Sequence, residues 1–213
     1  RRFLLIRSLN GTWLDPEVEA KLEEAAKHVR DLGGIVTAFD GTTIDWRLEP
    51  SRIALRVNQA ARFETLLRER RADLDPSFAR TVEDGLAIDA AALRRALFER
   101  TAFYRDMNRL FAQADYLLTP TFATTALPVG QDAFGQLVVD GKEMGDLRSA
   151  WYSYTVPQNL SGHPAVVMPF GLSRAGLPIS IQATGRWFAE ADLIGLAQAM
   201  DAKTGASAML PPS

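Results

Sequence analysis

Arg100 is the residue of this chain whose position most plainly asks for a chemical explanation. It lies in a segment opened by Asp89, where Leu93, Leu97, Tyr104, Met107 and Phe111 recur at helical spacing. At about 100° per residue, Arg100 falls within about 20° of the centre of that stripe, and Arg94, Arg95, Arg105 and Arg109 fall well away from it. A guanidinium on an apolar face is costly unless an anion or a hydrogen-bond acceptor meets it. Arg100 is therefore expected to be buried, either paired with a structural carboxylate or facing a cavity where it could hold a substrate group. Snorkelling to solvent is the third possibility.

His163 is the other side chain with chemical potential. It sits in Gly162-His163-Pro164, after a helix-like stretch and before a strand. A general base is one reading; a loop histidine that lines a pocket or bonds the backbone is the other. No Gly-x-Ser-x-Gly elbow accompanies it, so a Ser–His–Asp arrangement has no support. Trp151, Tyr152 and Tyr154 cluster just upstream. Aromatic side chains offer flat contact area with a polar tip, which suits an apolar or aromatic substrate group, although rings so close together also serve as core. A lysine base would need apolar surroundings to depress its pKa. Lys21, Lys27, Lys142 and Lys203 all lie in polar contexts. The two histidines, His28 and His163, are far apart and form no HExxH pattern, and there is no cysteine, so no metal site is expected. No GxGxxG or P-loop lysine follows the first strand.

These residues need a scaffold, and the hydrophobic pattern supplies one. Phe3-Leu4-Leu5-Ile6 predicts a buried strand, and Asp15-Pro16 opens a helix with an N-cap acid and a proline at its first position. Val18, Leu22, Ala25, Val29 and Leu32 form its apolar face, and Gly33-Gly34 ends it. Ile35 to Phe39 is the next strand. A strand–helix–strand unit predicts parallel pairing. Residues 50 to 114 read as three helices, opened by Pro50-Ser51, Asp75-Pro76 and Asp89. Tyr116 to Thr119 reads as a buried strand, and residues 122 to 148 as a long irregular segment. Ala165–Phe170 and Ile179–Ala183 predict a hairpin in which Pro169 marks an edge or a bulge. A last helix over about Ala189 to Lys203 would bury Leu193, Leu196, Ala197 and Met200.

Composition narrows the partners. A chain of 213 residues with 47% hydrophobic residues suits a globular α/β protein. A net charge of -2 offers nucleic acid no basic face. No apolar run approaches the roughly 20 residues that span a bilayer, and Arg7 interrupts the short run near the start before it could serve as a signal peptide. Without cysteine the redox compartment is unreadable; the cytoplasm is the working assumption.

The stretch Thr155-Val156-Pro157-Gln158-Asn159-Leu160-Ser161-Gly162-His163-Pro164-Ala165, followed by Gly176-Leu177-Pro178-Ile179-Ser180-Ile181-Gln182 and by Gly185-Arg186, resembles the C-terminal half of the amidase signature family. Asp115-Tyr116-Leu117-Leu118-Thr119-Pro120-Thr121 resembles the same family's strand ending in Thr-Pro-Thr. The resemblance implies a mixed central sheet flanked by helices, of which residues 1–213 would be the C-terminal part of a single domain. It implies hydrolysis of a carboxamide through an acyl-serine intermediate, with a Ser–Ser–Lys triad, backbone N–H groups for the oxyanion and no cofactor. The paired serines and their Gly/Ser-rich segment have no counterpart here, so the triad is expected outside this chain and the chain alone is expected to be inactive. Its partner would be an N-terminal amidase segment, or a second copy through self-association. Aligned back from Thr119-Pro120, Arg100 matches an arginine that helps hold glutamine in the tRNA-dependent amidotransferase A subunit. That subfamily's partner aspartate falls at Tyr152 here, which weakens a glutamine reading. The resemblance thus places Arg100, Trp151, Tyr152 and His163 in the wall of a substrate pocket, with Gln182 bracing it. A non-catalytic partner and a fragment of the amidotransferase A subunit, respectively, are the two alternatives.

Overall fold

The computed structural model describes residues 1–139, 141–205 and 208. Its centre is a five-stranded sheet in the order β2-β1-β3-β7-β6. The strands are β1 (Arg2–Leu5), β2 (Ile35–Ala38), β3 (Tyr116–Pro120), β6 (Ala165–Leu172) and β7 (Pro178–Gly185). β1 pairs in parallel with β2 and with β3, and β7 runs antiparallel to both β3 and β6. The sheet is therefore mixed, as the resemblance implies.

Alternation along the strands divides the core into two layers. Phe3, Leu5, Tyr116, Leu118, Ile181 and Ala183 face α1 (Pro16–Asp31) and α7 (Glu190–Thr204). Leu4, Ile6 and Leu117 face the other way, towards Phe103, Met107, Leu110 and Phe111 of α4 (Ala90–Gln113) and Leu160 of α6 (Val156–Ser161). Helices cover both faces, which is why β1 and β3 are apolar on both sides. α2 (Leu48–Arg70) and α3 (Pro76–Leu86) hold a smaller cluster of their own around Phe63, Leu67, Phe78 and Val82.

Local signals act where the sequence placed them. The Asp15 carboxylate accepts from the Glu17 N–H and Pro16 begins α1; Asp75 and Asp89 cap α3 and α4 in the same way. Gly33 closes α1 at φ +84°, a conformation that costs glycine nothing.

Two expectations need correction. Residues 122–148 are not wholly irregular: β4 (Gln136–Val139) and β5 (Lys142–Asp146) form an antiparallel hairpin, followed by the short helix α5 (Leu147–Ala150). Asp140, within that stretch, lies outside the described residues. The alternation there is short and mostly polar, and only Leu137 of the two strands is fully buried, in a small core shared with Leu147 and Ala150. β3 lies inside the sheet, flanked by β1 and β7. The exposed edges are β2 and β6. β6 does combine the two options open to Pro169, since it lies at the edge and its register shifts between Pro169 and Leu172. In α7, Leu193 and Met200 are buried, and Leu196 and Ala197 are only half-buried.

Candidate active site

The side chains singled out in the sequence separate into two places. Arg100, His163 and the start of β6 belong to the α4–α6 side. Trp151 and Tyr152 belong to the loop beyond β3.

On the first side, helix α4 presents Ala96, Phe103, Met107, Leu110 and Phe111 to the core. The buried stripe is thus rotated away from the predicted one; Leu93, Leu97 and Tyr104 are half-buried. Arg100 lies at its rim and is exposed, which corrects the expectation of burial. Its Nε donates to the Leu160 carbonyl at 2.8 Å. This is the snorkelling arrangement, with one anchoring hydrogen bond. Arg100, Leu97, Tyr104, Ser161 and Trp187 line a shallow cavity there.

His163 stands behind that cavity, 4% exposed. Its imidazole stacks on Phe111 at 4.9 Å and on Tyr104 at 5.7 Å, and meets Trp187 edge-on at 6.3 Å. Gly162, at φ +75°, turns the chain out of α6, and the Trp187 indole packs over it. The Ser161 hydroxyl donates to the Pro157 carbonyl at 2.8 Å, within its own helix. With its proton engaged there, Ser161 accepts from His163 Nδ1 at 2.9 Å, which assigns the Nδ1–H tautomer. Burial pushes the His163 pKa down to about 4, so the ring is neutral near pH 7. Ser161 and His163 are in contact, a pairing that sequence reasoning missed. A serine only 2% exposed whose proton is held by a helix carbonyl is not poised as a nucleophile.

The second place is built around the end of β3. The Thr121 N–H donates to the Ser180 carbonyl, the Ala123 N–H to the Trp151 carbonyl, and the Asp15 N–H to the Ala123 carbonyl. The Thr124 hydroxyl donates to Asp15 at 2.7 Å. The loop is thereby tied to β7, α1 and the segment before α6. Gln182, 3% exposed, donates to Thr119 Oγ1 at 3.2 Å and to the Tyr154 carbonyl at 3.0 Å. Tyr154 is buried, donates its hydroxyl to the Arg7 carbonyl at 2.8 Å, and has its pKa raised by desolvation. Tyr154 is thus core rather than pocket.

Trp151 and Tyr152 are half-buried, their rings 6.2 Å apart and edge-on. Trp151 stacks on Phe122 at 5.0 Å and 24°, and its indole N–H donates to the Thr124 carbonyl at 3.3 Å. The Trp151 and Phe122 rings wall a cavity of about 290 Å³ floored by Val18 and Ile179. Tyr152 turns towards Arg52, Arg56 and Arg148; desolvation raises its pKa, and those guanidinium groups oppose the rise. Buried polar side chains gather here: Thr119, Thr121, Thr124, Ser153 and Gln182. The Thr121 and Ser153 hydroxyls are buried without a hydrogen-bond partner. Sequence reasoning did not find Phe122, Thr124 or Ile179 as lining residues. The one available signal was the Thr-Pro-Thr end of β3, which delivers the chain directly to this cavity.

No group of three or more His, Asp or Glu side chains with metal-binding geometry occurs among the described residues, and no described helix is long and apolar enough to cross a membrane. Lys21, Lys27 and Lys203 are held in surface ion pairs with Glu24 and Asp31.

This architecture, an α/β fold with a mixed sheet between helices, recurs as part of larger solved structures. A bacterial aryl acylamidase of the amidase signature family superposes with a TM-score of 0.79 at 23% identity, covering 98% of this chain and 45% of that one. The 6-aminohexanoate cyclic dimer hydrolase gives 0.82 at 22% identity, covering 99% and 46%. In sequence, the A subunit of the glutamyl-tRNA(Gln) amidotransferase of Brevibacillus brevis is 26% identical over 93% of this chain and 44% of its own length. The Amidase family model matches residues 4–194. The chain belongs to the amidase signature family. It spans less than half the length of these relatives.

Proposed function

We propose that the chain is the C-terminal, pocket-forming portion of an amidase that hydrolyses a carboxamide C–N bond through an acyl-serine intermediate, with the Ser–Ser–Lys triad supplied by polypeptide outside these residues. The observation that carries this reading is the pairing of a family match over residues 4–194 with coverage of less than half of the relatives. Two features agree with it. The sequence contains no adjacent serines. Lys21, Lys27 and Lys203 are engaged at the surface rather than held in a dry site that would suit a base. In this reading Arg100, Trp151, Tyr152 and His163 belong to the wall against which the substrate is held, His163 from behind the Tyr104 and Trp187 rings. A small amide is the substrate and an N-terminal amidase segment is the partner. Tyr152 in place of an acidic residue leaves no carboxylate at that position to meet an α-ammonium group, which turns the reading away from glutamine. A non-catalytic partner is the second reading, favoured by the same lack of paired serines.

The test is hydrolysis of a panel of aryl and aliphatic amides by the 213-residue chain alone and by the same chain joined to the coding sequence upstream of Arg1. The expected result is no turnover by the first and serine-dependent turnover by the second. Turnover by the chain alone that survives repurification and is lost on blocking serine overturns the placement of the triad. No turnover by the longer protein favours the non-catalytic partner.

A further inference from the structure

We infer that the Phe122–Trp151 cavity is a binding site for a single neutral, planar apolar group, an aryl ring rather than a charged or extended aliphatic moiety. One wall is the stacked pair Phe122 and Trp151, two rings in contact at 5.0 Å that together offer it aromatic surface. Its floor is the apolar pair Val18 and Ile179, and no charged side chain lines it. The carboxylate behind it, Asp15, is already engaged by the Thr124 hydroxyl and the Glu17 N–H. A charged ligand group would lose its water there and find no counter-charge, and an apolar ring loses nothing. The volume sets the size. About 290 Å³ is roughly twice the ~150 Å³ that suffices for benzene in a dry apolar cavity, so a substituted ring fits.

The site is also pre-formed. The Trp151 indole is fixed by its N–H bond to the Thr124 carbonyl and by its stack on Phe122. The loop that carries Phe122 is held to β7 through Thr121 and Ser180 and to α1 through Asp15 and Ala123. A ring entering the cavity therefore orders little of the protein, and most of its burial appears as affinity. That the ring belongs to a carboxamide substrate rests on the amidase reading above. That the cavity takes it rests on the cavity alone.

The test is equilibrium binding to the 213-residue chain, observed on the indole N–H resonances of its four tryptophans. Trp151→Phe identifies the Trp151 signal by its loss. The probes are acetanilide, its para-carboxylate, its para-trimethylammonium analogue and N-cyclohexylacetamide. Acetanilide is expected to shift the Trp151 resonance saturably. Each charged analogue is expected to bind at least about tenfold more weakly, and the cyclohexyl amide several-fold more weakly. Ala126→Trp, at an exposed position on the cavity wall, fills the space without touching the core and is expected to abolish the shift. Acetanilide binding that survives Ala126→Trp in a folded variant, or equal binding of the carboxylate, overturns the inference. The two readings fail separately. If the longer protein hydrolyses no amide but acetanilide still binds, the cavity stands and the amidase reading falls. If it hydrolyses amides with unchanged aryl preference after Ala126→Trp, the amidase reading stands and the cavity falls.

Discussion

The surroundings of His163 and the surroundings of Trp151 are both aromatic, yet they are built on opposite plans. Around His163 the rings of Phe111, Tyr104 and Trp187 close on one another, and the Ser161 and His163 polar atoms are joined in a short chain ending at the Pro157 carbonyl. Around Trp151 two rings stand open over a cavity, and the nearby hydroxyls of Thr121 and Ser153 are buried with no partner. The first region closes its ring cluster on itself, with Gln158 Oε1 of α6 its unpartnered buried atom. The second leaves surface and hydrogen-bonding capacity free, as a ligand site does. Aromatic content does not distinguish the two; what does is whether the polar groups among the rings have found partners within the fold.

The largest effect that can break this contrast falls on its hinge. Gln182 is the brace between β3, β7 and the segment carrying Trp151. Replacing it with leucine leaves the Tyr154 carbonyl and Thr119 Oγ1 without their buried donor. The expected cost is about 3–4 kcal/mol, read as a lower midpoint in denaturant. Trp151 emission should shift with it, because the loop loses its tie to the sheet. A loss below about 1 kcal/mol with unchanged emission would show that the open region does not depend on this brace.

A pH titration sharpens the closed region. The folded His163 has its pKa near 4, and an unfolded histidine has its pKa near 6.5. As pH falls the unfolded chain binds the proton first, so stability is full above about pH 6.5 and is lost as pH falls towards 4. At about 1.4 kcal/mol per unit the loss is on the order of 3 kcal/mol. His163→Phe keeps an aromatic ring in the stack and should flatten this part of the stability–pH curve relative to the unmodified chain. If both proteins lose stability in parallel between pH 6.5 and 4, His163 is not the buried neutral group.

How much of this was written in the sequence follows the same division. The elements were legible because each carried its own local signal: Asp15, Asp75 and Asp89 as caps, Gly33 as a stop, Pro169 as an edge mark. The β4–β5 hairpin was not, because only Leu137 of its strands is fully buried. The site was legible only in part. Trp151 announced itself by type. Phe122, Thr124 and Ile179 did not, since they come from a loop and a strand that only β3–β7 pairing brings together. The contact between Ser161 and His163 depends on the left-handed turn at Gly162, which the sequence allows and does not require.

The smallest effect belongs to Arg100, and it is the one that separates pattern from packing. A wheel centred on Leu93, Leu97 and Tyr104 puts this residue in the core. The helix is in fact seated on Ala96, Phe103 and Phe111, a rotation that brings Arg100 to the rim. One hydrogen bond to the Leu160 carbonyl then remains, from an exposed side chain. Arg100→Ala should therefore cost less than about 1 kcal/mol, against several for a guanidinium buried and paired. If the proposed amidase reading holds, the same variant in the longer protein should raise KM or lower kcat, with stability almost unchanged. A loss of about 3 kcal/mol or more would mean that the helix sits as its sequence stripe suggests. It would also mean that the open cavity at Trp151 has a buried charged counterpart across the fold, and the contrast between the two regions would then fail.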